Sequence, residues 1–244
     1  MDTELKQAFF EHIAELRKTL ICCVAVLLIG FVLVFGFFQE TLMDILLKSL
    51  RDLGLDVVYT MIGEVWVTKM KVAFVAAFVA AFPFMSFFMW RFLAPALYPH
   101  EKKAFGLSFF MSICLFLLGV SFAYFIVLPF TVNFFVSFGE NTADAMLTVS
   151  KYVSFLFSFV IPFGLIFLMP IAVYLLTKVG VLKAMVLKKT RKYVMLLLLI
   201  LAAILTPPDV ISQLMLFFPM MILWEISIMV AKHTKSIKKE EPLE

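Results

Sequence analysis

The stretch Phe82–Lys103 reads FPFMSFFMWRFLAPALYPHEKK, and it passes from an apolar helical pattern into a charged loop. Its first half carries no charge before Arg91, so it can lie in the hydrocarbon of a bilayer. Its second half contains two prolines and one carboxylate, Glu101, between His100 and Lys102. The rest of the chain has the pattern of a membrane scaffold that determines where this loop lies.

Composition places the chain in the membrane class. Of its 244 residues, 64% are hydrophobic and 16% are charged, and the mean hydropathy is +1.05. Soluble domains are about half apolar and about a quarter charged. Cys22, Cys23 and Cys114 all lie in apolar runs, which favours buried thiols over a disulfide framework.

Residues 1–18 are predicted to form an amphipathic helix on the cytoplasmic surface of the membrane. The apolar side chains recur at three- and four-residue steps, while Glu11, Glu15 and Lys18 fall on the opposite side. The several acidic residues argue against a secretory signal or a transit peptide, so we expect the first apolar run to be a retained anchor.

Six apolar runs follow, which predicts an all-α integral membrane protein with a six-span domain over residues 19–230. The predicted spans cover about 19–38, 71–93, 105–128, 152–177, 192–206 and 210–230. We expect Pro83 to kink the second span and Pro129 to end the third. The fourth span contains Pro162, Gly164 and Pro170, which interrupt the helical pattern.

The last two spans are short, and Asp209 alone separates their apolar runs. A run of this length reaches about 24 Å, whereas the hydrocarbon core is about 30 Å thick. The mismatch predicts a hairpin with local thinning of the bilayer, or a concave bundle. Between residues 39 and 70 we expect a surface helix and a short extended piece that cap the far side, and residues 231–244 form a charged cytoplasmic tail.

The distribution of Lys and Arg predicts that both termini are cytoplasmic. With six spans and both ends inside, sixteen of these residues lie in cytoplasmic segments and five lie outside. That asymmetry follows the positive-inside rule.

Several enzyme classes lack their motifs in this sequence. None of the three histidines falls within a predicted span, and neither HExxH nor GxSxG occurs. A glycine-rich phosphate loop is also missing from the sequence. The missing motifs remove most enzyme classes, and we predict that the chain needs no metal or other cofactor.

Two carboxylates, Glu15 and Glu101, are predicted to lie at the same cytoplasmic face. An arginine guanidinium suits such groups, because it can form two parallel hydrogen bonds with a carboxylate. The alternative is local pairing, of Glu15 with Arg17 or Lys18 and of Glu101 with the lysines that follow it.

Asp209 and Glu225 flank the sixth span, and acidic groups in apolar surroundings are functional candidates. Asp209 can instead cap the amino end of the helix, and Glu225 can pair with Lys192 or Lys232. Ser212 and Gln213 are expected to hydrogen-bond another transmembrane helix. These two acids also allow a second hypothesis, an ion-coupled small-molecule membrane transporter, although no inverted repeat is evident.

Three motifs resemble those of one family, TatC, the multispanning receptor subunit of the twin-arginine protein translocase. The segment EHIAELRKTL matches at His12, Glu15, Leu16 and Arg17. The opening segment matches at Pro83, Trp90, Phe92, Pro95, Leu97, Tyr98, His100 and Glu101. The segment TPPDVISQLMLFFPMMILWE matches at Thr206, Pro207, Pro208, Asp209, Ser212, Gln213, Pro219 and Glu225. Two positions depart from the family: Leu168 replaces a carboxylate in the fourth span, and Phe87-Phe88 replaces a Tyr-Gln pair.

The resemblance implies a receptor and not an enzyme, one that recognises the paired arginines of signal peptides on folded cargo. The residues it assigns to signal-peptide binding are Glu15, Glu101, Arg17, Phe92, Pro95, Leu97, Tyr98 and His100. Structural roles in the membrane fall to Pro83, Pro207, Pro208, Asp209 and Glu225.

The same resemblance implies partners, energy source and location. The single-span subunits TatA and TatB would dock along the last spans at Thr206, Ser212 and Gln213. Transport would be driven by the proton motive force, in a bacterial cytoplasmic (inner) membrane. The protein would also self-associate in the receptor complex and would bind no nucleic acid.

Overall fold

The structure is a computed structural model that describes residues 2–51, 57–93, 102–139, 147–205 and 210–234. The helices are α1 (Asp2–Phe37), α2 (Gln39–Arg51), α3 (Glu64–Leu93), α4 (Lys102–Phe122), α5 (Leu128–Gly139), α6 (Val149–Ile166), α7 (Met169–Lys178), α8 (Ala184–Lys189), α9 (Arg191–Leu205) and α10 (Val210–His233). A π-helical turn, Ala123–Val127, joins α4 to α5, and two short strands are β1 (Val57–Val58) and β2 (Leu147–Thr148).

Five helical segments of the described chain are long and apolar enough to cross a membrane. They are Ile13–Phe37, Glu64–Phe92, Gly106–Ser137, Val149–Lys178 and Val210–His233. The prediction of an all-α membrane protein is therefore confirmed. The remaining predicted span is α9, whose 15 residues reach about 22 Å and are short, as expected. The structure is compatible with six crossings, and the concave form of the bundle stays a prediction.

The chain divides into two compact units, of which the first comprises Met1–Ile113 and Ala145–Ser154. Within it α1 packs along α3, and α2 also packs on α3. Small residues allow this contact, since a Cβ on Gly30 would lie 3.7 Å from the Cβ of Ala77. The predicted surface helix and extended piece are present as α2 and β1.

The carboxylate of Glu64, at the start of α3, forms hydrogen bonds with the preceding turn and with the start of α6. Glu64 accepts hydrogen bonds from the backbone N–H of Thr60 at 2.7 Å and from its hydroxyl at 2.9 Å. It also accepts one from the backbone N–H of Ser150 at 3.2 Å, in the first turn of α6. Beside it β1 and β2 pair in parallel, with Val58 opposite Thr148. One side chain thus joins segments 86 residues apart.

The second unit comprises Cys114–Asp144 and Phe155–Glu244, and phenylalanines fill much of its core. Phe116 and Phe163 are fully buried. Two glycines make this contact possible. A Cβ on Gly119 would lie 2.7 Å from the Phe163 carbonyl oxygen, and one on Gly164 would lie 2.7 Å from Phe116 Cε2. Real Cβ contacts are longer than this, so α4 and α6 meet at van der Waals limits.

The helix α10 lies against α7, α8 and α9 in the second unit. Its buried side chains recur at helical steps and form one face: Ser212, Leu216, Met220, Leu223, Trp224, Ser227, Ile228 and Ala231. Because these positions follow the 3.6-residue period, a single stripe of α10 supplies the contacts with its neighbours.

The predicted boundary between a surface helix and the first span is wrong, because α1 is one unbroken helix from Asp2 to Phe37. No proline occurs in this range, and its first glycine is Gly30. Nothing in the local sequence therefore ends the helix near residue 18. Similarly, α3 begins at Glu64 rather than near residue 71, and it continues through Pro83.

The prediction that Pro129 ends the third span is wrong. The helical path continues through it to Gly139. The π-helical turn directly before it accounts for this, since the Leu128 N–H bonds to the Ala123 carbonyl, five residues back. A widened turn accommodates a proline that lacks its own donor.

The fourth predicted span consists of two helices. Phe167 and Leu168 form a turn between α6 and α7, and Pro170 lies in the first turn of α7. Proline is well tolerated there because a first-turn N–H has no intrahelical partner. Pro162, in contrast, lies inside α6 without ending it.

Candidate functional site

A groove of about 570 Å³ lies between α1 and α3 in the first unit. It is lined by Glu15, Lys18, Thr19 and Cys22 from α1 and by Phe88, Arg91 and Phe92 from α3. Each set recurs at steps of three and four residues, so each occupies one helical face. The packing of α1 on α3 brings these two faces together.

The groove contains two of the residues that the sequence predicted for binding, Glu15 and Phe92. Arg17 lies on the same helix but is exposed and is not part of this lining. The sequence analysis did not assign Lys18 or Arg91 to the site. Helical spacing from Glu15 could have identified Lys18, whereas only the packing of the two helices places Arg91 nearby.

The charges of the groove are unequal. One carboxylate, Glu15, faces two cations, Lys18 and Arg91, so the described lining carries a net charge of +1. Phe88 and Phe92 add apolar surface beside these charges. A cationic ligand therefore meets net repulsion from the described lining, which a further carboxylate at the groove would offset.

The other carboxylate that the sequence predicted for binding, Glu101, belongs to a segment outside the described residues. It runs from 94 to 101, between the end of α3 and the start of α4, and Glu101 directly precedes α4. The other predicted residues of this segment are Pro95, Leu97, Tyr98 and His100. The hairpin residues Thr206, Pro207, Pro208 and Asp209 also lie outside the described residues, so the expected capping by Asp209 stays a prediction.

Polar side chains of α10 bond within the second unit. Gln213 Nε2 donates to the Leu199 carbonyl of α9 at 3.1 Å, which confirms the expected bond to another helix. Ser212 is 1% exposed.

Glu225 forms an ion pair with Arg191. The predicted partners, Lys192 and Lys232, were therefore wrong. Arg191 is the first residue of α9, so the contact between α9 and α10 brings it to Glu225.

The two positions that depart from the TatC pattern lie in different places. Leu168 is in the turn between α6 and α7, whereas Phe88 lines the groove beside Glu15. Phe87 is 52% exposed. The loss of a polar pair thus makes the groove itself more apolar.

The part of the chain that the structure describes contains no set of side chains that could bind a metal ion. No group of three or more His, Cys, Asp or Glu side chains there is close enough to hold an ion. The chemistry that these residues offer is recognition of charge at the groove.

Comparisons with known proteins agree with this arrangement. The family model for the Sec-independent protein translocase protein (TatC) matches residues 11–219. The TatC protein of Carboxydothermus hydrogenoformans is 39% identical over 227 residues, which is 93% of either chain. The TatC protein of Aquifex aeolicus is 37% identical over 235 residues, covering 94% of this chain and 97% of the relative.

A solved structure of the twin-arginine translocase receptor TatC has the same fold. It superposes with a TM-score of 0.83 at 36% identity, over 91% of this chain and 98% of that one. A second TatC structure, in the detergent DDM, superposes with a TM-score of 0.84 over 90% of this chain. Sequence, motifs and fold therefore place this chain in the TatC family of Sec-independent protein translocase proteins.

Proposed function

We propose that this protein is the receptor subunit of a twin-arginine translocase. It is a multi-pass protein of the inner membrane, and it binds the paired arginines of a signal peptide at the cytoplasmic face. Glu15 and Glu101 supply the two carboxylates, and Phe92, Pro95, Leu97, Tyr98 and His100 shape the site. Arg17 supports it from the exposed side of α1.

One observation carries the proposal: Glu15 and Phe92 line the same groove, although they are 77 positions apart in the sequence. The helix that supplies Phe92 leads directly into the segment that contains Glu101. Two carboxylates offset the two cations of the groove in net charge, so a dicationic ligand is held by direct hydrogen bonds to the carboxylates and not by an excess of negative charge. Bidentate pairing with carboxylates then favours arginine over lysine.

The partners we propose are the single-span subunits TatA and TatB, docking along α9 and α10. Thr206, Ser212 and Gln213 are the polar positions there. Because Ser212 is buried and Gln213 is bonded to Leu199, they would act by holding the α9–α10 hairpin in shape. Self-association within the receptor complex belongs to the same proposal.

The receptor role requires no catalysis by this chain. We propose that it is not an enzyme and that the proton motive force drives transport of the folded cargo. The ion-coupled small-molecule transporter is not supported, since the matched family and the similar structures are translocase components. One of its two acids, Glu225, is already held by Arg191.

The first test measures binding of a fluorescent twin-arginine peptide to the purified protein. Glu101→Ala and Glu101→Lys are expected to abolish binding while the protein still inserts into the membrane. Glu40→Gln, on α2 and paired with Lys69, is the matched control and should bind normally. Undiminished binding by both Glu101 variants would remove that residue from the site. A wild-type protein that does not distinguish Arg-Arg from Lys-Lys would refute the receptor role.

The second test maps the groove by photo-crosslinking the same peptide. Probes at Thr19 and Phe88, which line the groove without charge, should crosslink, whereas a probe at the exposed Val32 should not. Equal crosslinking from all three positions would contradict the location of the site.

A further inference from the structure

Residues 179–192, from the end of α7 through the first two residues of α9, combine exposed cations with exposed apolar side chains, and we refer to them as the α8 segment. Its exposed lysines are Lys183, Lys188, Lys189 and Lys192. The sequence contains no acidic residue between Asp144 and Asp209, so no neighbour in the sequence offsets their charge. Nearby Glu225 is engaged with Arg191. The α8 segment therefore presents a concentrated positive charge.

The apolar side chains of the α8 segment lie among these lysines. Val181 is 66% exposed, Met185 is 70% exposed and Val186 is 47% exposed. Leu187 is 4% exposed, and α8 packs on α10. This contact anchors the short helix while leaving Met185 and Val186 on the outer side. Such exposure is unfavourable in water, so we expect these side chains to contact another apolar medium.

Backbone hydrogen bonds at the end of α7 determine the direction in which the chain enters the α8 segment. Gly180 has φ 82°, a left-handed conformation that favours glycine. The Val181 N–H bonds to the Leu176 carbonyl at 2.9 Å, and the Gly180 N–H bonds to the Thr177 carbonyl at 3.1 Å. This pair of bonds is the Schellman motif, which gives the chain a defined exit from the helix. The exposed side chains are thus presented by an ordered segment.

We propose that the α8 segment binds anionic phospholipid headgroups and lies in the interfacial layer of the membrane. Lysine stems can cover apolar surface while their ammonium groups reach phosphates. Met185 and Val186 then enter the boundary between headgroups and acyl chains, as in other amphipathic interfacial segments.

Continuity with the membrane favours lipid over an acidic protein as the occupant. The helix α9 follows directly, and its outer side chains Leu196, Leu197 and Ile200 are about half exposed, as expected for contact with lipid. Tyr193, in its first turn, is 75% exposed, and tyrosine is enriched where transmembrane helices meet the headgroup layer. Because α9 is shorter than the hydrocarbon is thick, the bilayer thins around it and brings headgroups toward the α8 segment.

The main test compares phosphatidylglycerol with phosphatidylcholine by native mass spectrometry of the full-length protein. The variant Lys183→Gln/Lys188→Gln/Lys189→Gln should lose most of the preference for phosphatidylglycerol, at about fivefold per lysine. The matched control, Lys48→Gln/Lys151→Gln/Lys232→Gln, removes three exposed lysines elsewhere and should keep the preference. A triple variant of the α8 segment that keeps the preference, or a control that loses as much, would overturn the proposal.

Two further arms distinguish lipid from other anions. A nitroxide at Met185→Cys, in a background with the three native cysteines replaced by alanine, should be more accessible to oxygen than to a water-soluble nickel complex. The vesicles for this measurement contain phosphatidylglycerol and phosphatidylcholine. Inorganic phosphate or polyglutamate should not displace bound phosphatidylglycerol at equal concentration. A water-accessible nitroxide, or displacement by either anion, would refute lipid as the occupant.

Discussion

Arg91 and Lys18 are the residues that change the interpretation of the binding groove. They lie beside Glu15, the carboxylate that we propose contacts a cationic peptide. Cations at this position lower the affinity for a positively charged ligand and raise its dependence on the carboxylates. At the same time they oppose binding of peptides that carry a single basic residue, because one charge gains too little from two carboxylates. Such repulsion is a recognised route to specificity.

Replacing Arg91 with glutamine should therefore strengthen binding of a twin-arginine peptide. We expect an increase of several-fold at low salt that shrinks as salt screens the charges. The measurement is a titration of labelled peptide at two salt concentrations, with Lys69→Gln, on the same helix but outside the groove, as the control. A loss of binding on Arg91→Gln would contradict this account and would make Arg91 a residue that positions Glu15.

The contact between α4 and α6 depends on two glycines that approach aromatic side chains and backbone. The nearest atom to a Cβ on Gly119 belongs to backbone, whereas the nearest to a Cβ on Gly164 is the far edge of the Phe116 ring. A ring can rotate away more easily than a helix backbone can move. The two positions therefore differ in their tolerance of an added methyl group, although the shortest distance is 2.7 Å at both.

Gly119→Ala should destabilise the protein by about 1–3 kcal/mol, and Gly164→Ala by less. Gly106→Ala is the matched control, because a Cβ there meets nothing within 4 Å. That change should be neutral or slightly stabilising, since alanine is the better helix former. Thermal unfolding midpoints in detergent micelles provide the comparison. Equal midpoints for all three variants would show that α4 and α6 are less closely packed than described.

The Glu64 carboxylate connects two elements, the turn before α3 and the start of α6, through hydrogen bonds. Glu64→Gln removes the charge that strengthens the hydrogen bonds that Glu64 accepts from Thr60, Met61 and Ser150. We expect faster hydrogen exchange at the amides of Thr60, Met61 and Ser150, with little change in the middle of α3. Glu40→Gln, which removes the ion pair between Glu40 and Lys69, should leave these amides unchanged. Unaltered exchange in Glu64→Gln would mean that the β1–β2 pairing alone holds this region.

The number of membrane crossings determines whether the two termini lie on the same side of the membrane. Five crossings would place them on opposite faces of the membrane, whereas six place them on the same face. The difference rests on α9, which is too short to span an undisturbed hydrocarbon core. The excess of Lys and Arg in the predicted cytoplasmic segments favours six.

We expect cysteines introduced at Thr3 and Ser236 to be labelled from the same, cytoplasmic side. A membrane-impermeant maleimide applied to intact cells should label neither, and it should label both after the membrane is opened. The background lacks Cys22, Cys23 and Cys114. A cysteine at Tyr59, in the turn before α3, should react in intact cells and serves as the control for the far side. Labelling of only one terminus in intact cells would show an odd number of crossings.

The local pattern of apolar residues was enough to predict most helices. It was insufficient where a helix continues through a proline. The apolar runs identified the membrane class because transfer free energy is summed over neighbouring residues. Pro129 was predicted as an end, yet a preceding π-helical turn lets the helix continue. The change from an amphipathic to a fully apolar pattern near residue 18 predicted a break, but α1 is continuous there. Amphipathic and fully apolar helices differ in environment and have the same backbone geometry.

Composition, periodicity and residue identity are local properties, so the amino-acid sequence was sufficient to identify the fold class, the family motifs and Glu15 as a candidate. Which side chains meet became known only from the packing of the helices. It placed Phe88 and Arg91 opposite Glu15, paired Glu225 with Arg191, and brought Ser150 to Glu64. The physical reason is that such contacts depend on the rotation and axial position of packed helices. A hydrophobic pattern determines which face is buried, but it leaves the partner of that face open.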